Sequence, residues 1–223
     1  MAVVAIMVTN VSAQQAVKLK KKDRRRDVEM TTTAGVILLR LSDSTPLHRD
    51  NFLQLVKSKY YDSLLFHRVI KNFMIQGGDP DSKMSMPGQA LGNGGPQKKI
   101  PAEFRPGLFH KKGVLAAARD NNPEKASSGS QFYIVHGKTF TDAALDSVET
   151  FRLKGRKLPA GHREFYKTIG GTPQLDQNYT VFGEVMKGME VVNAIAAEAT
   201  SATPPDRPLK DVRIIKARLV KRK

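Results

Sequence analysis

FHRVIKNFMIQGGDP, residues Phe66 to Pro80, is the stretch on which the fold turns. Apolar positions at Phe66, Val69 and Phe73 predict a pair of short strands, over 64–69 and 72–77, with one face buried. Gly77-Gly78-Asp79-Pro80 then breaks the second strand. Arg68 falls within this buried-face pattern, where a guanidinium needs a partner or a task. On these residues alone two readings stay open: an arginine satisfied by a carboxylate elsewhere, or one held ready for a ligand.

Outward from this pair, strands are expected over 28–41, 113–118, 131–135, 180–185 and 212–220. A helix is expected over 48–58, entered through Thr45-Pro46, where the fixed φ of proline suits a first turn. A second helix fits Val191, Val192, Ile195 and Ala196 at helical spacing. Between Asp79 and Pro106 the chain is rich in Gly, Pro, Ser and Lys, which predicts a long surface loop. Strands outnumber helices and no alternation of strand and helix appears. The pattern predicts a mainly β fold, an antiparallel barrel capped by helices.

The string from Phe66 to Pro80 resembles the active-site signature of the cyclophilins, peptidyl-prolyl cis-trans isomerases. Three further blocks follow in that family's order: Gly113 to Arg119, Ser127 to Ile134, and Leu175 to Val185. Thr33 to Leu41 resembles its opening strand and Asn51 to Val56 its first helix. The resemblance covers roughly residues 28 to 220. It implies a closed antiparallel eight-stranded barrel capped by two helices, and rotation of X-Pro bonds in polypeptides without a cofactor or metal. It also implies roles for particular residues. Arg68 would be the catalytic donor and Gln76 the glutamine holding substrate and arginine together. Phe73, Met74, Tyr133 and Leu175 would line the proline slot, although each apolar residue taken singly also suits ordinary core packing. Gln131 would be a second polar groove residue, Ala118 and Arg119 the strand that pairs with the substrate backbone, and Tyr179 a rim residue.

Four positions depart from the family pattern. Tyr133 replaces a phenylalanine, Gln174 a tryptophan, Tyr179 a histidine and Arg119 an asparagine. The tryptophan matters for the drug cyclosporin, so the resemblance implies weak cyclosporin binding while leaving isomerase activity in place. A compact cyclophilin has only a short turn where this chain carries Thr141 to Pro173. That insertion has apolar residues at Phe151, Leu153, Leu158, Phe165 and Tyr166 and basic ones at Lys154, Arg156, Lys157, Arg163 and Lys167. One or two short helices beside the groove are expected, and the basic residues suggest acidic partners. The competing functional reading is a peptide-binding or chaperone module that uses the same groove with little turnover.

Composition bounds the rest. With 223 residues and 40% hydrophobic content the chain suits one decorated domain. Without cysteine, disulfides and thiolate chemistry are excluded. His48, His67, His110, His136 and His162 show no short metal-ligand spacing and read as solvated or core histidines. The net charge of +16 gathers at Lys18 to Arg26 and Lys216 to Lys223, without interleaved aromatics. These clusters read first as solvated tails, with contact with acidic surfaces as the alternative, and specific nucleic-acid binding is not expected. Residues 1–13, with the apolar run Ala2 to Val8 and small residues before Gln14, read as a signal peptide cleaved after Ala13. That implies a periplasmic or otherwise exported protein, with a cytoplasmic one as the alternative. The run is too short for a transmembrane span. Residues 14–27 read as a disordered basic linker, residues 28–223 as the isomerase domain, and the protein as a monomer.

Overall fold

A computed structural model describes residues 17–222. The proposed signal segment, 1–13, lies outside these residues. The strands are β1 (Arg26–Thr32), β2 (Gly35–Leu41), β3 (Phe66–Ile70), β4 (Met74–Gly77), β5 (Val114–Ala117), β6 (Phe132–Val135), β7 (Val181–Lys187), β8 (Thr200–Ala202), β9 (Pro205–Pro208) and β10 (Ile214–Lys221). The helices are α1 (Pro46–Lys57), α2 (Asp142–Ser147), α3 (Ala160–Thr168) and α4 (Met189–Ala196). The strand expected over 28–41 is in fact two. Thr32 closes a turn between them, its hydroxyl bonding the Gly35 carbonyl at 2.8 Å and the Ala34 N–H at 3.1 Å. Threonines suit both strands and such turns, which is why composition hid the break.

Eight strands form one antiparallel sheet in the order β10-β1-β2-β7-β5-β6-β4-β3, and β8 pairs with β9 separately. The expected closed barrel is corrected here: the sheet curls into an open half-barrel. Among the described residues its two ends are joined by a short bridge at Leu65–Arg213, supported by bonds from Phe66 N–H to the Val212 carbonyl (2.9 Å) and Ile214 N–H to the Leu64 carbonyl (2.7 Å). Past that bridge β10 is committed to β1, and β9 packs beside β3 where the ladder would have continued.

The concave face holds the main core. Val28 and Met30 on β1 and Ile37, Leu39 and Leu41 on β2 alternate inward and are buried. Phe52, Leu53 and Val56 of α1 and Val192 and Ile195 of α4 cover them, so these two helices are the expected caps. A smaller cluster lies on the other face of β4, β5 and β6, built from Met74, Val114, Ala116, Tyr133 and Val135.

The N-terminal boundary also differs from expectation. Lys21–Arg25 forms a 3-10 turn, not a disordered linker, and β1 begins at Arg26. Asp23, 5% exposed, accepts the Lys57 ammonium at 2.9 Å, and Arg24 pairs with Asp50 at 2.8 Å. A basic segment can fold when α1 supplies the acid and the base that composition alone does not pair. Register then sets Arg26 opposite Lys221, which brings the two sequence-distant basic clusters together.

The insertion folds as expected into short helices, α2 and α3, joined through a π turn at Val148–Arg152. It has its own small core of Phe109, Leu145, Leu153, Leu158 and Tyr166. Its basic character is largely internal. Arg163 pairs with Asp142, Asp146 and Glu149, Lys167 with Asp142, and Lys157 with Glu149. This weakens the expectation that those cations reach for acidic partners.

Glu149, 1% exposed, anchors the network. Burial alone would raise its carboxyl pKa, but Lys157 (2.8 Å), the Leu158 N–H (3.0 Å) and Arg163 (2.9 Å) outweigh it and hold the value at about 2. A depressed acid stabilises the fold above its unfolded value of 4.5 and loses that contribution as pH falls toward about 2. Amide-exchange protection of α2 and α3 should therefore drop over that window, and Glu149→Gln should lower it at neutral pH and flatten the dependence. An unchanged acid profile in Glu149→Gln would show that the carboxylate does not hold the insertion.

Candidate active site

Arg68 reaches the surface because β3 carries a bulge. Phe66 pairs with Gly77 and Arg68 with Gln76, so one extra residue, His67, is accommodated on β3. Strict alternation from Phe66 would have turned Arg68 into the core. With the bulge, Phe66 and Val69 both face the core while Arg68 faces out, its side chain 43% exposed. Its Nε donates to Asp206 Oδ2 at 3.2 Å, and one terminal nitrogen donates to Gln76 Oε1 at 3.5 Å. Asp206 supplies the carboxylate partner of the first reading, and Arg68 also lines a groove.

The polar line continues from Gln76. Its Nε2 donates to Gln131 Oε1 at 3.0 Å, and Gln131 Nε2 donates to the carbonyls of Gly92 (2.9 Å) and Gly94 (2.8 Å). Asp79 is fully buried and accepts the N–H groups of Asp81, Gly92 and Gly94, tying the Gly-rich loop to the end of β4. Gly78 makes this possible: at φ +94° a Cβ there would lie 2.3 Å from the Ser130 carbonyl oxygen.

The groove has a volume of about 300 Å³. Arg68 and Gln76 line one side, and Phe73, Met74, Tyr133 and Leu175 form an apolar slot. Ala118, Arg119 and Tyr179 complete it, with the Arg119 guanidinium 4.7 Å from the Tyr179 ring centroid. Gln131 alone among the expected site residues lines the adjoining cavity of about 500 Å³ instead, which shares Gln76, Ala118 and Arg119. Met74 and Tyr133 also belong to the convex-face cluster, with Phe73 and Leu175 packed against it, so the core-packing reading holds for residues that also line the groove. Ala118 lines the groove and is also bonded to its neighbours in the chain. Its N–H donates to Gln131 (3.0 Å) and its carbonyl accepts from Ser128 (2.8 Å), so its backbone is already engaged within the chain.

Three contributors were missed in the sequence. Asp206 lies 138 residues from Arg68, within Pro204-Pro205-Asp206-Arg207-Pro208, and carried no periodic signal. It is fixed by its neighbour: Arg207, 4% exposed, donates to the Gln89 carbonyl at 2.7 Å and pairs with Asp211 at 3.1 Å. His67 is the second. Both of its ring nitrogens lack a hydrogen-bond partner among the described residues, and burial pushes its pKa down to about 4, leaving it neutral near pH 7. The third is a buried network beneath Tyr133 that involves His110, Asp176 and Tyr166. The family-like motifs covered His67 and Asp176 without assigning them, and nothing in the sequence pointed to the contact with Tyr166.

Residues 27–219 match the family model described as cyclophilin type peptidyl-prolyl cis-trans isomerase/CLD. Among curated proteins, the chain is 35% identical to the peptidyl-prolyl cis-trans isomerase-like 1 of Neurospora crassa over 200 residues, 87% of this chain and 94% of the relative. It is 36% identical to a putative peptidyl-prolyl cis-trans isomerase of Staphylococcus aureus over 186 residues, 83% of this chain and 87% of that one. Among solved structures, a cyclophilin-type isomerase of Cryptosporidium parvum superposes with TM-score 0.66 at 24% identity, covering 89% of this chain and 99% of its own. The same Cryptosporidium protein crystallised in the presence of the dipeptide Ala-Pro gives TM-score 0.65.

Proposed function

This chain belongs to the cyclophilin-type peptidyl-prolyl cis-trans isomerases, and we propose that the groove between Arg68 and Leu175 is where it turns over X-Pro bonds. Amide resonance sets a rotation barrier of about 18–20 kcal/mol, so the uncatalysed step takes roughly tens to hundreds of seconds. No bond is made or broken. As the C–N bond twists, the imide nitrogen becomes pyramidal and recovers a lone pair. A donor aimed at that lone pair binds the transition state in preference to either ground state.

Arg68 is that donor. The observation that carries the assignment is its fixed position: Asp206 takes Nε and Gln76 the inner terminal nitrogen, which leaves the outer edge toward the slot. The proline ring enters among Phe73, Met74, Tyr133 and Leu175, which fix the ring and leave the acyl side free to swing. Gln131 and Gln76 hold the substrate main chain on the adjoining side, and the Arg119 backbone pairs with it, since Ala118 is already engaged. Tyr179 under the Arg119 guanidinium forms the rim. The substrates are proline-containing segments of other polypeptides, and the role is assistance to folding. NMR exchange on a short Xaa-Pro peptide tests this: binding with no rate enhancement would favour a peptide-binding module instead.

Asp206 gives a second, smaller test. Its pair with Arg68 is half-exposed, which places its worth near 1 kcal/mol or below. Asp206→Asn should lower kcat/KM by about 2- to 5-fold, mainly in kcat, with the fold unchanged. No loss in a folded variant would mean that Gln76 alone orients the guanidinium.

Export is proposed on the apolar run Ala2 to Val8 and the small residues ahead of Gln14. Among the described residues no helix is long and apolar enough to cross a membrane. N-terminal sequencing of the protein from fractionated cells tests the cleavage, and recovery of the intact chain from the cytoplasm would overturn it.

A further inference from the structure

The inserted segment is joined to the proline slot by a chain of buried polar groups. The Tyr166 hydroxyl, on α3, donates to Asp176 Oδ2 at 2.7 Å. Asp176 Oδ1 accepts the His110 main-chain N–H at 2.8 Å and lies 2.9 Å from His110 Nδ1. His110 Nε2 lies 2.9 Å from the Tyr133 hydroxyl. A carboxylate facing Nδ1 requires the proton there, which in a neutral imidazole makes Nε2 the acceptor and Tyr133 the donor. All four residues are at most 4% exposed.

Both walls of the slot depend on this chain. The Tyr133 ring lines the slot while its hydroxyl is tied back into the interior. Asp176 directly follows Leu175, the facing wall, and its carbonyl accepts from Arg156 of the insertion. The base of the insertion is clamped to the same region, with Thr172 N–H on the His110 carbonyl at 2.8 Å and Gly171 N–H on the Lys138 carbonyl at 2.9 Å. Each group in the chain needs the next one. An unpaired hydroxyl or imidazole in this interior would carry its full desolvation penalty, so one geometry is strongly favoured.

We propose that the insertion sets the width and rigidity of the proline slot through Tyr166, Asp176, His110 and Tyr133, with Tyr166 and Asp176 as positioning residues for substrate binding. The slot binds the ring in ground and transition states alike, so its distortion acts on KM, whereas loss of the Arg68 donor acts on kcat. The inference rests on the groove being the substrate site.

The test uses the full chain with Tyr166→Phe, Tyr133→Phe and the double variant, and reads KM and kcat on an Xaa-Pro peptide by NMR exchange. Tyr166→Phe should raise KM by about 3- to 10-fold, the scale of one buried hydrogen bond, with kcat within about 2-fold. Tyr133→Phe cuts the chain, so adding Tyr166→Phe to it should change KM little further. A purely structural hydroxyl would lower stability and leave KM unmoved. An unchanged KM in folded Tyr166→Phe, or additive effects in the double variant, would overturn the proposal. Should Tyr166→Phe fail to fold, peptide titration of the wild type decides: the His110 imidazole resonances should shift with the same saturation as the groove, and an absence of shift overturns the inference. Failure of the groove itself shows differently, as peptide shifts that miss Arg68 and Phe73 altogether.

Discussion

Arg68→Ala should lower kcat/KM on an Xaa-Pro peptide by about 10²–10³-fold, on the order of 2.7–4 kcal/mol, the scale of losing one preorganised donor. The loss should fall on kcat, because the donor's partner exists only when the imide nitrogen is pyramidal. Stability should hardly move, since the side chain is 43% exposed and its ion pair is a weak contributor. Lysine should rescue poorly. An ammonium is a point charge, and it cannot engage Asp206, Gln76 and the substrate together as a planar fork does. A folded Arg68→Ala protein that retains most of its activity would refute the assigned mechanism.

Phe132→Ala should produce the other large effect, on stability. Phe132 is 1% exposed and receives Phe52, Tyr61 and Phe66 edge-on at centroid distances of 5.5, 5.3 and 6.2 Å. Three elements thus meet on one ring: α1, the segment after it, and β3. Truncation leaves a cavity among rigid aromatics that cannot collapse into it, and Phe→Ala at such sites costs about 3–5 kcal/mol. Urea unfolding should show a lower midpoint with the slope preserved. Phe132 precedes Tyr133 on β6 but faces the opposite side of the sheet, so the slot should survive in whatever fraction remains folded. A loss below about 1 kcal/mol would mean that the cluster repacks, contrary to the geometry.

Much of the site was legible because it is local. Phe66 to Pro80 supplies Arg68, Phe73, Met74 and Gln76 within two adjacent strands, and short spacing fixes which side chains can be neighbours. Gln131 and Tyr133 follow because β6 pairs with β4, in the register Gln76 to Tyr133. What remained hidden is long-range. Asp206 comes from a Pro-rich hairpin whose composition reads as a turn, and only folding brings it to Arg68. The same holds for Tyr166, whose sequence signal was that of an apolar residue in a basic insertion.

The positions of most sheet strands along the chain and the placing of hydrophobic residues were decided by the sequence itself. Periodicity is a property of neighbours along the chain, and burial follows it on β1, β2 and α1. Only the tertiary structure decided how the sheet ends. Whether β3 and β10 close a barrel depends on β9 filling the space beside β3, a competition between segments that no local pattern encodes. The pairing of charges was settled the same way. Arg24 and Arg163 looked like free basic charge and became internal ion pairs, because electrostatic partners are chosen by distance in space and not along the chain.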